Sequence, residues 1–153
     1  MQVILGSRNY INEHVLNDNF NIVTNKYGKP SYEKNSDIFF NKSHTKDLSV
    51  AIIDNKNCGI DIEKIRTYNQ LMVNKICSNE EITFLNSVSN KDYYFTLLWV
   101  LKESFLKCIG VGLSVPMKKI NFIKDNKINL EIKNFKMKYI TLNKYIIAIC
   151  RKG

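Results

Sequence analysis

Cys58-Gly59-Ile60-Asp61-Ile62-Glu63 alternates small or apolar residues with acidic ones. In a strand, successive side chains point to opposite faces, so Asp61 and Glu63 share one face while Cys58, Ile60 and Ile62 enter a core. Gly59 leaves the polar face uncrowded. Two carboxylates held side by side repel each other, and they persist with a cation, a shared proton or a basic partner. A second stretch, Trp99-Val100-Leu101-Lys102-Glu103-Ser104-Phe105-Leu106-Lys107, has helical periodicity. It adds a third carboxylate and a lysine that can meet the first two in one pocket.

Outward from the acidic strand the pattern is mixed α+β. Residues 8 to 17 read as a short helix ended by Asn17-Asp18-Asn19, and Tyr27 to Asp37 as a loop interrupted by Gly28, Pro30, Ser31 and Asn35. Ile38 to Asn41, Leu48 to Ile53 and Cys58 to Ile62 read as strands. The second is nearly all apolar and therefore central. Asp54-Asn55-Lys56-Asn57 suits a hairpin turn between the last two. Ser78-Asn79-Glu80-Glu81 fits a capping box that starts a helix running to about residue 86. A longer helix spans about Lys91 to Ile109 and stops at Gly110, before a loop from Gly112 to Pro116. Lys118 to Cys150 alternates around turns at Asp125-Asn126 and Asn143-Lys144, predicting three or four antiparallel strands. No internal repeat is visible.

The 153 residues are the size of one domain, and 44% apolar residues suffice for a core. With 23 Lys+Arg against 14 Asp+Glu the formal charge is +9, which favours an anionic partner without naming it. Few arginines, and aromatics that fall mainly in apolar runs, argue against a nucleic-acid-binding protein. Cys58, Cys77, Cys108 and Cys150 lack the spacing of a metal motif and read as core thiols in a reducing compartment. Met1 to Leu5 is too short for a signal segment, and no long apolar run would span a membrane, so a cytoplasmic protein is expected.

At about 100° per residue, Tyr94, Leu97, Leu98, Leu101, Phe105 and Cys108 form the core stripe of the long helix. Phe95, Trp99, Leu106 and Val100 extend the apolar surface around it, so Glu103 and Lys107 face a cleft. The plainer reading of these two is an exposed i,i+4 pair contributing about 0.3–0.5 kcal/mol. His44 and Arg66 are ordinary surface residues by default, although Arg66 follows the acidic strand and can assist it.

Gly59 to Glu63, then Trp99 and Lys102-Glu103-Ser104-x-x-Lys107, resemble the paired signature of the 4′-phosphopantetheinyl transferases. Tyr27-Gly28-Lys29-Pro30 and Phe40-Asn41-Lys42-Ser43-His44-Thr45 resemble two further motifs of the surfactin-type branch. The ordered match covers residues 27 to 116. The resemblance implies an antiparallel sheet packed against a long helix, in one domain. Residues 1–26 would form an abbreviated first part, 27–116 the motif-bearing part and 117–153 the C-terminal strands. It implies Mg²⁺-dependent transfer of the phosphopantetheine arm of coenzyme A to a serine of an acidic acyl or peptidyl carrier protein, releasing adenosine 3′,5′-bisphosphate. Asp61, Glu63 and Glu103 match the metal carboxylates. Lys107 matches the lysine on the coenzyme A phosphates, Glu103 is the best acceptor for the serine proton, and Asp61, Glu103 and Lys107 form the catalytic set. Lys42, Ser43 and His44, just after a strand, and Lys29 of the Tyr27 to Pro30 loop match further coenzyme A contacts. Members of this branch have two similar halves, and the chain is short before Lys29, where Arg8 is one candidate contact. Either a monomer or a small homo-oligomer is compatible. A noncatalytic member that binds coenzyme A or a carrier protein is the nearest alternative.

Overall fold

The computed structural model describes residues 1–15, 21–33 and 37–153. Its elements are β1 (Gln2–Gly6), α1 (Arg8–Val15), β2 (Ile22–Thr24), β3 (Pro30–Tyr32), β4 (Phe39–His44), β5 (Ser49–Asp54), β6 (Cys58–Lys64), α2 (Gln70–Ile76), α3 (Asn79–Ser87) and α4 (Lys91–Ile109). They are followed by β7 (Ile123–Lys124), β8 (Lys127–Ile128), β9 (Glu131–Ile132), β10 (Phe135–Leu142) and β11 (Tyr145–Lys152). The fold is α+β with antiparallel sheets, and no described helix is long and apolar enough to cross a membrane.

Two units repeat one topology. The first sheet has the order β1-β5-β4 and the second β6-β11-β10-β9. In each, the opening strand lies beside the last strand of a hairpin, and a helix between opening strand and hairpin covers one face. Alternation in the central strands explains the stacking. Ala51 and Ile53 of β5 meet Ile11 of α1, whereas Val50 and Ile52 turn toward Ile60, Ile62 and Ile147 of the other sheet. In β11, Ile146, Ala148 and Cys150 pack under α4, while Tyr145 and Ile147 face the first sheet. The layers are therefore helix, sheet, sheet, helix.

The long helix has the expected bounds because both ends are capped. The Asn90 side chain accepts from Tyr93 N–H at 3.1 Å, and Gly110 takes the left-handed conformation at φ 71°. The predicted capping box of α3 is present, with Ser78 bonded to Glu81 N–H and the Glu81 carboxylate to Ser78 N–H. Glu81 also serves a second purpose. It lies 2.7 Å from the Lys102 ammonium with both side chains fully buried. Lys102 donates further to the carbonyls of Met117, at 2.8 Å, and Ile120, and Glu81 accepts from Phe122 N–H at 3.0 Å. The pair fastens the segment after α4 against α3 with every ammonium hydrogen engaged.

Four expectations change. Asp54 to Asn57 is no hairpin, because β5 pairs with β1 and β4 whereas β6 pairs with β11. The segment instead carries the chain from one sheet to the other, with Asp54 accepting from Lys56 N–H and gripping Arg151 at 2.6 and 3.0 Å. The Tyr27 to Asp37 stretch contains β3, which pairs with β2, and Met1 to Leu5 supplies most of β1. The tail forms five strands, two of them in the two-residue hairpin β7–β8. Strands this short carry no visible period. The topological repeat was invisible because the two helices share no sequence pattern. The turn formers Asn17-Asp18-Asn19 and Asn35 lie outside the described residues. All four cysteines are free and buried, and burial pushes the Cys58 and Cys77 thiols up to about 12.

Candidate active site

β6 is an outer strand of its sheet, and β4 runs alongside it without a backbone ladder. Side chains make the seam instead. Cys58 Sγ meets Phe39 O at 3.7 Å, Ile60 N–H donates to Asn41 Oδ1 at 3.0 Å, and the Ser43 hydroxyl donates to Asp61 Oδ1 at 2.7 Å. Partner numbers rise together, so the strands run the same way. On its other face β6 meets α4 at Gly59, where a Cβ would lie 2.2 Å from Ser104 O and 2.4 Å from Cys108 N. The glycine therefore does not leave the face open, as the sequence suggested. It lets the helix backbone touch the strand, which sets the depth at which the next two turns of α4 hang over Asp61 and Glu63.

A cavity of about 620 Å³ opens between β4, β6 and α4, and Asp61, Glu63, Glu103, Lys107, Ser43 and Trp99 line it. The three carboxylates and the lysine thus meet, as the two sequence stretches predicted. Lys107 Nζ lies 2.6 Å from Asp61 Oδ1 and 2.9 Å from Ser43 Oγ. Serine, aspartate and lysine form a closed triangle, with Asp61 only 4% exposed. Its other oxygen, Oδ2, is buried with no hydrogen-bond partner. Glu63 pairs with Arg66 at 2.8 Å. Burial, reinforced by the Asp61 charge and opposed by Lys107, holds the Glu103 carboxyl above the usual range.

A buried carboxylate oxygen without a donor is a place for a cation, a proton or a water. Among the described residues, no three His, Cys, Asp or Glu side chains are grouped as a formed metal site. The donors Asp61, Glu63 and Glu103 are all oxygens, the set that hard divalent cations prefer. With Asp61 Oδ2 unengaged, they fit such an ion.

Lys42, Ser43 and His44 belong to the end of β4 rather than to a loop after it. Alternation buries Ser43 and exposes its neighbours, and Lys42 donates to Asn12 at 3.1 Å. His44 borders a second cavity of about 580 Å³ lined also by Arg8 and Lys46. Lys29 departs from expectation. Its ammonium donates to Cys108 O at 2.6 Å, Cys58 O at 3.3 Å and Asn57 Oδ1, and burial lowers its pKa. A cation at a helix C-terminus satisfies carbonyls that the helix cannot, so Lys29 supports the cavity floor and its donors are not offered to a ligand. Asn25, which the sequence reading passed over, holds the same turn, accepting from the N–H groups of Tyr27 and Lys29 and donating to Gly110 O at 2.8 Å. Its signal was the Asn-Lys-Tyr-Gly turn itself.

A family model of the 4′-phosphopantetheinyl transferase superfamily matches residues 57–150, from just before β6 to near the end of β11. A 4′-phosphopantetheinyl transferase of Bacillus subtilis is 31% identical over 134 residues, covering 82% of this chain and 60% of that protein. One from Aneurinibacillus migulanus is 34% identical, covering 68% and 44%. The chain spans about half the length of the curated relatives it matches. Among solved structures, holo-[acyl-carrier-protein] synthase of Thermotoga maritima superposes with a TM-score of 0.54 over 63% of this chain and 62% of that one, at 16% identity, a likeness of fold. The match to most of the chain, with its two signature stretches meeting at one cavity, places this chain in the 4′-phosphopantetheinyl transferase superfamily.

Proposed function

We propose that this chain transfers the 4′-phosphopantetheine arm of coenzyme A to a serine hydroxyl of an acyl or peptidyl carrier protein. The observation that carries the proposal is the unengaged Asp61 oxygen in a cavity that also holds Glu63, Glu103 and Lys107. Asp61, Glu63 and Glu103 would hold Mg²⁺, which when bound would neutralise charge on the diphosphate. Lys107 is a mobile point charge on the last turn of α4, suited to leaving Asp61 for a phosphate oxygen. Ser43 bridges both groups and keeps them at a fixed depth. The carrier serine oxygen forms a bond to the β-phosphorus, the bond from that phosphorus to the bridging oxygen breaks, and adenosine 3′,5′-bisphosphate departs with that oxygen. Glu103, in the same cavity, is the group we assign to take the serine proton. Past His44, the Arg8 and Lys46 side chains suit the bisphosphate end.

Incubation with coenzyme A, Mg²⁺ and a panel of apo carrier proteins tests this by intact mass. The expected product is a carrier heavier by one phosphopantetheine. Asp61→Ala and Glu103→Ala should abolish the adduct while keeping the fold, and no adduct across a broad panel with the unaltered chain would overturn the proposal.

A further inference from the structure

The side chain that holds Glu63 lies outside the signature stretches. Arg66 follows β6 and is held by its backbone and by two contacts of its guanidinium. Its backbone N–H donates to Thr96 Oγ1 at 3.1 Å, and that buried hydroxyl donates onward to Asp92 O at 2.8 Å, which pins Arg66 to α4. Its guanidinium lies over the Trp99 ring, 4.9 Å from the centroid, and 2.8 Å from Glu63 Oε2. Trp99 and Glu63 both line the cavity. A glutamate at a strand end, with 26% of its side chain exposed, would otherwise sample several rotamers. A planar cation lying over a ring and paired with one carboxylate oxygen selects one of them.

We propose that Arg66 is a positioning residue that orients Glu63 for a divalent cation, with the Trp99 ring as its backstop. The inference rests on the cation site proposed above. Outer partners of metal ligands change affinity by roughly 10–100-fold when removed. A merely charged neighbour would do the opposite, since deleting a positive group beside the site tightens cation binding.

Mg²⁺ titration of the metal-free full chain distinguishes the two, read by calorimetry and by emission of Trp99, the one tryptophan in the sequence. Arg66→Ala should fold, because 38% of that side chain is exposed, and its melting midpoint is measured alongside. Mg²⁺ affinity should fall by about 10–100-fold. Arg66→Lys should not rescue it, because lysine keeps the charge and loses the planar group that lies over Trp99. Unchanged or tighter affinity in Arg66→Ala, or full rescue by Arg66→Lys, would overturn the positioning role while leaving the transferase proposal standing. Absence of Mg²⁺ binding by the unaltered chain would instead remove the cation site and this inference with it.

Discussion

The two units of this fold share a strand order and divide the work unequally. The second carries the 19-residue α4, both signature stretches and the groups Asp61, Glu63, Glu103 and Lys107. The first has the eight-residue α1 and contributes a wall, chiefly Asn41, Ser43 and His44 of β4. The first unit is the leaner one, and its opening strand leaves Val3 and Leu5 exposed. Strand order alone therefore does not make the site. What distinguishes the second unit is a helix pressed onto a glycine, with a buried lysine behind it and acidic groups beyond. The first unit is needed because the cavity lies at a seam between the two.

The most severe way to break the second unit is Lys102→Met. It leaves Glu81 buried and uncompensated, and should cost roughly 3–5 kcal/mol of stability in a denaturant titration. Pairing it with Glu81→Gln should recover part of the loss, since the amide carries no charge and its oxygen can still accept from Phe122 N–H. Gly59→Ala comes next. Its methyl group would meet helix backbone rather than a flexible side chain, so about 1–3 kcal/mol is expected, and α4 should be pushed from β6. Transfer should suffer more than stability in this variant, because the displaced helix bears Glu103 and Lys107.

Acid should loosen the join between the units. The Arg151 guanidinium holds the Asp54 carboxyl below its ordinary 3.8, and the Tyr145 hydroxyl does the same for Asp47. Groups whose folded pKa is depressed stabilise the fold above the ordinary value, and that contribution is lost as pH falls through the folded one. The unfolding midpoint should therefore drop below about pH 3.8, and Arg151→Ala should flatten that dependence. The smallest effect belongs to Arg8→Ala at the cavity beside His44, where one exposed charge contact should raise KM for coenzyme A by no more than roughly fivefold. A larger rise would make the leaner unit a stronger contributor to binding than its geometry suggests.

The parts legible in sequence were those with local causes. The Gly110 stop and the Ser78 capping box set helix ends, and alternation in Cys58 to Glu63 set the faces of β6. The parts that were not legible depend on partners distant in the chain. Asp54 to Asn57 has the composition of a hairpin and becomes a crossing between sheets, because β5 pairs with β1 and β4 while β6 pairs with β11. Lys29 looked like a ligand contact and turned to the carbonyls at the end of α4, 79 positions away at Cys108. Lys102 sits in a charged motif and is fully buried, since its counter-ion comes from another helix.

By itself the sequence put Asp61 and Glu63 on one strand face and Glu103 and Lys107 on one helix face, because period assigns faces, and the family resemblance drew them into one site. Only the tertiary structure decided how they are paired. Asp61 with Lys107 and Ser43, Glu63 with Arg66, and Glu103 with no ion-pair partner among the described residues are outcomes of close packing at Gly59 and along the β4–β6 seam. Charge pairing falls off with distance and with exposure, so it is set by ångström-scale placement that no local pattern encodes.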